Sequence, residues 1–376
     1  MMISEQVELQ DIFTAGSQEY ELRYRSCNQQ RKVINAIRNC RTQAMGQHTA
    51  QCDNCGKSIT AYNSCRNRHC PKCQFSKQTK WVEQLENNLL PVAYFHVVFT
   101  LPQELHEIVY KTQQVAYSVL LKSAGKTLEQ VAGYREFLGA QTGCVAVLHT
   151  WGQNLMYHPH VHMLVPAGGM DEDGMEWVPS SKKFFVPVKV LSKVFRSKFF
   201  GMLEKTFSDN NIGLPSDYRQ LKDRLYEKEW VVYTKKPFKG PGQLLTYLGR
   251  YTHRVAISNN RILSHCENKV TFRWKDYSDH NKWKTMELDT CEFMRRFLLH
   301  VLPCGFYKIR YYGIFANANR KIRLQHCMLL ITRLTTRVSV AYLSSSQTEW
   351  KRKCPFCQKG HMYFVGLIKD SRMAFG

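Results

Sequence analysis

The chain has 376 residues, and 53 Lys and Arg against 30 Asp and Glu give it a formal net charge of +23. That length allows two or three domains with sizeable cores, and so large a basic excess points to a polyanion, nucleic acid before an anionic membrane. Apolar runs of the roughly 18 residues that a spanning helix needs are absent, which excludes a transmembrane segment and membrane partners of that kind.

Met1–Phe13 lacks a basic segment followed by an apolar one, so no secretion signal is expected. The 14 cysteines then belong in a reducing, cytoplasmic setting, where clusters mean metal or catalysis rather than disulfides. Residues 1–45 read as helical and basic, with Leu22, Ile34 and Ile37 among Arg23, Arg25, Arg31 and Lys32. From His48 to Gln74 the chain carries Cys52-x2-Cys55 and Cys70-x2-Cys73, a separation one residue shorter than usual for paired zinc knuckles. Each pair bends two thiolates toward one ion, and two pairs complete a tetrahedron around zinc. Cys65, His69 and His48 are left as alternative ligands, parts of a second zinc site or fold residues. Arg66 and Arg68 beside the knuckle suit phosphate contacts, or form an ordinary solvated face.

A linking helix over 76–90 leads to a buried-strand pattern at Ala93–Thr100, stopped by Pro102. Leu105, Ile108, Val109, Val115, Val119 and Leu120 set a helix within 103–131. Cys144–Thr150 is a second strand, and Trp151–Asn154 links it to Leu155–Gly168. There His158, His160 and His162 alternate, so that in a strand the three imidazoles share a face. Val161, Met163, Leu164 and Val165, closed by Pro166 and Gly168-Gly169, support the strand. Imidazole is the commonest protein metal ligand, and two ring nitrogens on one rigid strand make two corners of a site; the plain alternative is exposed or hydrogen-bonded strand histidines. The order strand, helix, strand, strand suits an α+β architecture, an antiparallel sheet backed by helices.

Met170–Gly174 is an acidic turn. Leu191, Val194, Phe195, Phe199, Met202 and Leu203 repeat at helical spacing as core, and Trp230–Thr234 is a strand. Pro237 and Gly240-Pro241-Gly242 break the chain and start a helix over Gln243–Thr252, on which Tyr247 and Tyr251 are neighbours; amphipathic packing is the ordinary explanation of such a pair. Segments 261–265, 269–274 and 284–288 alternate like hairpins. Phe272 and Trp274 lie among Lys269, Arg273 and Lys275, a mixture that stacks bases and neutralises phosphates unless the rings are core. A helix at Glu292–Leu302, a basic aromatic stretch Tyr307–Tyr312, a helix over 317–333 and a serine-rich link at 344–346 follow. Cys354-x2-Cys357 with His361 is half of a zinc site, without a fourth ligand.

The stretches SCRNRHCPKCQ, FHVVFTLP, HTWGQNLMYHPHVHMLVPAGG, YLGRYTHRVAISNNRI and LPCGFYKIRYYG, in that order over most of 48–313, resemble the bacterial rolling-circle, two-tyrosine transposases of the HUH endonuclease superfamily, the insertion-sequence ninety-one type with an N-terminal zinc-binding domain. The resemblance implies a nuclease core with a ferredoxin-like antiparallel sheet, a divalent ion (Mg2+ or Mn2+) and single-stranded DNA, both element ends and target, as substrate. It implies a helical, zinc-binding and DNA-binding domain over 1–90, an HUH core with the tyrosine helix over 91–260 and a basic C-terminal region over 261–376. His160 and His162 become ligands of the nuclease ion, with Gln153 third and His158 its competitor. Tyr247 and Tyr251 become nucleophiles that store the cut bond as a 5′-phosphotyrosine ester, flanked by Arg250 and Arg254 as phosphate ligands or solvated residues. The alternatives are a plasmid-type rolling-circle replication initiator or relaxase, and a non-catalytic zinc-dependent DNA-binding regulator. A homo-oligomer is left open.

Overall fold

The computed structural model describes residues 6–74, 81, 85, 88–181, 186–238, 256–277, 279–335 and 352–368. The first third contains α1 (Leu9–Arg23), α2 (Asn28–Arg38), β1 (Gln47–Cys52), β2 (Ser58–Tyr62), β3 (Tyr94–Thr100), α3 (His106–Lys111) and α4 (Gln113–Gly133). There follow β4 (Gly143–Trp151), β5 (Tyr157–Pro166), β6 (Gly168–Met170), β7 (Trp177–Pro179), α5 (Val188–Asp209), α6 (Tyr218–Glu227) and β8 (Val232–Phe238). The remainder holds β9 (Ile262–Cys266), β10 (Lys269–Asp276), β11 (Lys282–Asp289), α7 (Thr290–Leu298), β12 (Ile309–Gly313), α8 (Arg320–Thr335), β13 (Arg352–Lys353) and β14 (His361–Ile368). Among the described residues no helix is long and apolar enough to cross a membrane. The helix expected over Gln243–Thr252 and the serine-rich link at 344–346 lie outside the described residues, and of the linking helix over 76–90 only Trp81 and Leu85 are described as helical.

The fold is a mixed one, with antiparallel sheets and helices, divided into two compact units that do not follow the linear order. One comprises Met1–Lys77, Ile257–Val301 and Ala341–Gly376, the other Gln78–Ala256 and Leu302–Val340. These units are interleaved along the chain, unlike the expected linear division at residues 90 and 260. Pairing is the reason: β14 hydrogen-bonds to β1, α7 packs on α1, and β12 hydrogen-bonds to β4, so the C-terminal region is shared out rather than forming a domain of its own.

In the first unit, the buried stripe Leu9, Ile12, Phe13, Gly16 and Tyr20 of α1 follows the helical repeat and meets α7. Phe13 and Phe297 pack edge to face at 5.3 Å. The helices close on Gly16, where an added Cβ would lie 2.5 Å from Thr290 Cγ2 and 2.9 Å from Met294 Sδ. Asp289 caps α7, its carboxylate accepting from the backbone of Cys291 and Glu292. Beside these helices lie a three-stranded sheet, β11-β10-β9, and a four-stranded sheet, β13-β14-β1-β2. Phe272 of β10 is fully buried against Phe293, so it is core and not a base-stacking ring; Trp274 is half-buried.

The second unit is built on a five-stranded antiparallel sheet, β12-β4-β5-β3-β8. Alternation sorts its side chains into two faces. Phe95, Val97 and Phe99 of β3, Ala146 and Leu148 of β4, and Val161, Met163 and Val165 of β5 join the core beneath α4 and α5. Phe99 meets Phe195 of α5 at 4.9 Å. The opposite face carries Tyr94, Val145 and Leu164, covered by Leu324, Leu330 and Ile331 of α8. His96, His149, His160 and His162 belong to that second face by the same alternation.

Candidate metal centres and active site

Three groups of potential metal ligands are brought together among the described residues: Cys40, Cys65, Cys70 and Cys73; Cys52, Cys55, Cys354 and Cys357; and His149, His160 and His162. Within each group the ligand atoms lie within 4.8 Å of one another.

The histidine group follows from strand register. His160 and His162 are two residues apart on β5 and share a face. The β4–β5 hairpin sets His149 directly opposite His160, a position where Cβ atoms are about 5 Å apart. His160 Nδ1 lies 2.6 Å from the His158 carbonyl oxygen; the oxygen only accepts, so Nδ1 carries the proton and Nε2 presents the lone pair. His162 Nδ1 is 2.8 Å from Nε2 of His96, whose ring stacks on it at 5.0 Å. His149 is buried and stacks on Trp151 at 4.6 Å. Burial, then repulsion from His158, pushes the His160 imidazole down to about 3. Burial also pushes His162 well below the ordinary imidazole range, with His149 and His160 adding to it. Both rings are therefore neutral near pH 7, the state in which imidazole binds a metal.

His149 thereby joins Gln153 and His158 as a candidate for the third ligand. Gln153 sits in the turn that joins β4 to β5, where Gly152 N–H donates to the Met156 carbonyl. His158 is exposed and stands outside the group, its backbone orienting His160 instead. The sequence reading missed His149 and His96, although both lie in stretches that carried the resemblance. Tyr247, Tyr251, Arg250 and Arg254 lie outside the described residues.

The cysteines group differently from the expected set of Cys52, Cys55, Cys70 and Cys73. The β1–β2 hairpin keeps the pairs apart. Cys52 and Cys55 lie at its turn, whereas Asn63 at the far end of β2 exchanges backbone hydrogen bonds with Arg41 and Gly46. A strand of five residues spans roughly 17 Å, so the chain after β2 delivers Cys65, Cys70 and Cys73 to Cys40 at the open end. Cys73 Sγ is 3.6 Å from Cys40 Sγ and 3.5 Å from Cys65 Sγ. A hydrogen bond from Cys70 holds the Cys65 thiol down to about 5, against the cost of burial. His69 is buried but outside the group, and His48 Nδ1 lies 2.9 Å from Asn63 Oδ1. Arg66, exposed, and Arg68, half-buried, lie on the loop between Cys65 and Cys70.

At the turn end, Cys52 and Cys55 meet the β13–β14 turn. Sγ atoms are 3.8 Å apart for Cys52–Cys357 and 3.7 Å for Cys55–Cys354. Backbone N–H groups of Gly360 and Lys359, with the Asn54 side chain, hold Cys357 down to about 6. His361 stands outside this group; its backbone N–H donates to Asp53 Oδ1 at 2.6 Å, and its carbonyl accepts from Asp53 N–H.

A basic chain with a cysteine-rich module and a histidine cluster on an antiparallel sheet has the build of a DNA-handling protein. The chain belongs to the IS91-type transposases. A family model described as a putative transposase matches residues 143–322, and one described as a transposase zinc-binding domain matches residues 12–101. The chain is 44% identical to the putative transposase y4qJ of Sinorhizobium fredii, over 96% of this chain and 95% of that one. It is 30% identical to the transposase for insertion sequence element IS801 of Pseudomonas savastanoi pv. phaseolicola, over 76% of this chain and 70% of that one. No solved structure matches.

Proposed function

We propose that this transposase cuts and rejoins single-stranded DNA at the ends of its element through 5′-phosphotyrosine esters, as an HUH-type strand transferase. The observation that carries the reading is the convergence of His149, His160 and His162 on one face of the antiparallel sheet. A regulator without catalysis would leave that cluster unused, and the transposase relatives favour element transfer over plasmid replication.

The three imidazoles would hold a divalent ion, which, when bound, neutralises charge on the scissile phosphate and orients it. Three neutral nitrogen donors leave the full ionic charge for the phosphate and suit a borderline ion such as Mn2+ better than Mg2+, which prefers oxygen ligands. His96 fixes the ring of His162, and the His158 carbonyl fixes that of His160. The nucleophile is the phenolic oxygen of Tyr247 or Tyr251. Its oxygen bonds to phosphorus, the bond to the 3′ oxygen breaks, and the released strand takes a proton there as a 3′-hydroxyl. Two such residues allow one strand end to be held while another is cut. Arg250 and Arg254 neutralise phosphates beside them, and Arg66 and Arg68 do so on the zinc-binding module, where Cys40, Cys65, Cys70 and Cys73 hold zinc.

The test incubates a single-stranded oligonucleotide carrying an element end with protein and Mn2+, then locates the modified residue by mass spectrometry. A 5′-phosphate on Tyr247 or Tyr251, with no adduct in the Tyr247→Phe, Tyr251→Phe variant and an unchanged melting temperature, supports the reading. An adduct on another residue overturns it.

A further inference from the structure

We propose that Cys52, Cys55, Cys354 and Cys357 hold a second zinc ion, which fastens the β1–β2 turn to the β13–β14 turn as a zinc ribbon assembled from segments 305 residues apart. The family match to the zinc-binding domain ends at residue 101 and so covers only half of this set. The other half comes from a part of the chain that neither family model covers.

The geometry is that of a closed tetrahedral site. Four sulfurs at about 2.3 Å from one ion stand about 3.8 Å from one another. The 3.8 Å Cys52–Cys357 and 3.7 Å Cys55–Cys354 separations match that spacing and are far too long for a disulfide. Each pair is a knuckle whose first sulfur accepts backbone N–H bonds. Asn54 and Cys55 donate to Cys52 at 3.3 and 3.4 Å, and Phe356 donates to Cys354 at 3.4 Å. Asn54 Nδ2 and Gly360 N–H donate to Cys357 at 3.6 and 3.4 Å. These bonds stabilise thiolates and aim their remaining lone pairs inward. Thiolates select zinc among the divalent ions that also bind oxygen donors, and four of them leave no open coordination position. The ion is therefore structural.

The backbone supports the same conclusion. Cys52 is opposite Met362 in the β1–β14 ladder, and Arg352 is opposite Met362 in β13–β14. The two turns thus lie side by side at one end of the sheet. Gly360 is pressed against this end: an added Cβ would lie 2.6 Å from Cys52 Sγ.

The test counts metal in the full chain by native mass spectrometry. Wild type should carry two zinc ions, and both Cys354→Ser, Cys357→Ser and Cys40→Ser, Cys65→Ser should carry one. Unchanged stoichiometry in the first variant, or iron in place of zinc, overturns the proposal; loss confined to the second variant's site bears on the first zinc alone. Differential alkylation of zinc-loaded wild type decides the matter if a variant fails to fold. Cys52, Cys55, Cys354 and Cys357 should be protected together and become reactive together after chelation. Labelling of Cys354 and Cys357 at the rate of the exposed Cys304, with zinc present, overturns it. Neither readout depends on DNA cleavage, so failure here is distinguishable from failure of the transferase reading.

Discussion

His149 and His160 face each other across the β4–β5 ladder, and their register completes the histidine cluster. Removing His149 should therefore resemble removing His160. Both His149→Ala and His160→Ala should abolish tight Mn2+ binding in calorimetric titration, while Gln153→Ala leaves it within a few-fold. His96→Ala, which frees the His162 ring, should weaken binding roughly 10- to 100-fold. Equal Mn2+ affinity in His149→Ala and wild type would return the third place to Gln153.

Gly313 ends β12 with φ of +58°, and a Cβ there would meet the Thr142 carbonyl and lie 2.7 Å from Gly143 Cα. Both the left-handed backbone and the close approach call for glycine. Gly313→Ala should destabilise the chain by about 1–3 kcal/mol in urea unfolding. A neutral substitution would mean that the edge strand shifts to accommodate it.

Glu292, in the first turn of α7, is held down to about 2 by its hydrogen bond from Arg295 and by Arg296. A carboxylate depressed in the folded state contributes its stability above the unfolded value of 4.5 and loses it as pH falls through 4.5 toward 2. The pair is partly solvated, so the contribution is about 1 kcal/mol. Glu292→Gln should lower the melting temperature at pH 7 and flatten its fall between pH 4.5 and 2. An identical acid profile in the variant would remove the assignment.

Cys65→Ser should release the metal held with Cys40, Cys70 and Cys73. Structural zinc stabilises the fold that binds it, so this variant should melt at a clearly lower temperature. Mn2+ binding by the histidine cluster should persist. A wild-type melting curve would show that this cluster is not a structural site.

Much of this was legible as periodicity. Apolar runs rich in β-formers gave β3 and β4, which are buried on both faces, alternation put the β5 histidines on one face, and helical spacing gave α4 and α5, whose apolar residues recur with the backbone repeat. His160 and His162 were legible for the same reason. His149 was harder because its place depends on register between strands, not on spacing within one. The signal was nevertheless present: two strands joined by a short turn pair residues symmetrically about it, and that symmetry couples 149 to 160. Cysteine spacing misled for the complementary reason. C-x2-C specifies a knuckle but not which knuckles share an ion, and an intervening hairpin separated the two nearest in sequence. Cys40, alone after α2, had no local pattern to reveal it.

The interior position of β14 has a consequence for synthesis on the ribosome. At translation speeds of about 5–20 residues per second, the 305 residues between Cys52 and Cys357 delay their meeting by roughly 15–60 s. Throughout that interval β1 is paired only with β2 and presents a bare strand edge. Its final neighbour comes from residues 361–368. A nascent chain stopped before that strand would retain the histidine hairpin but not the finished ribbon, so assembly of the module reports that translation has passed residue 368.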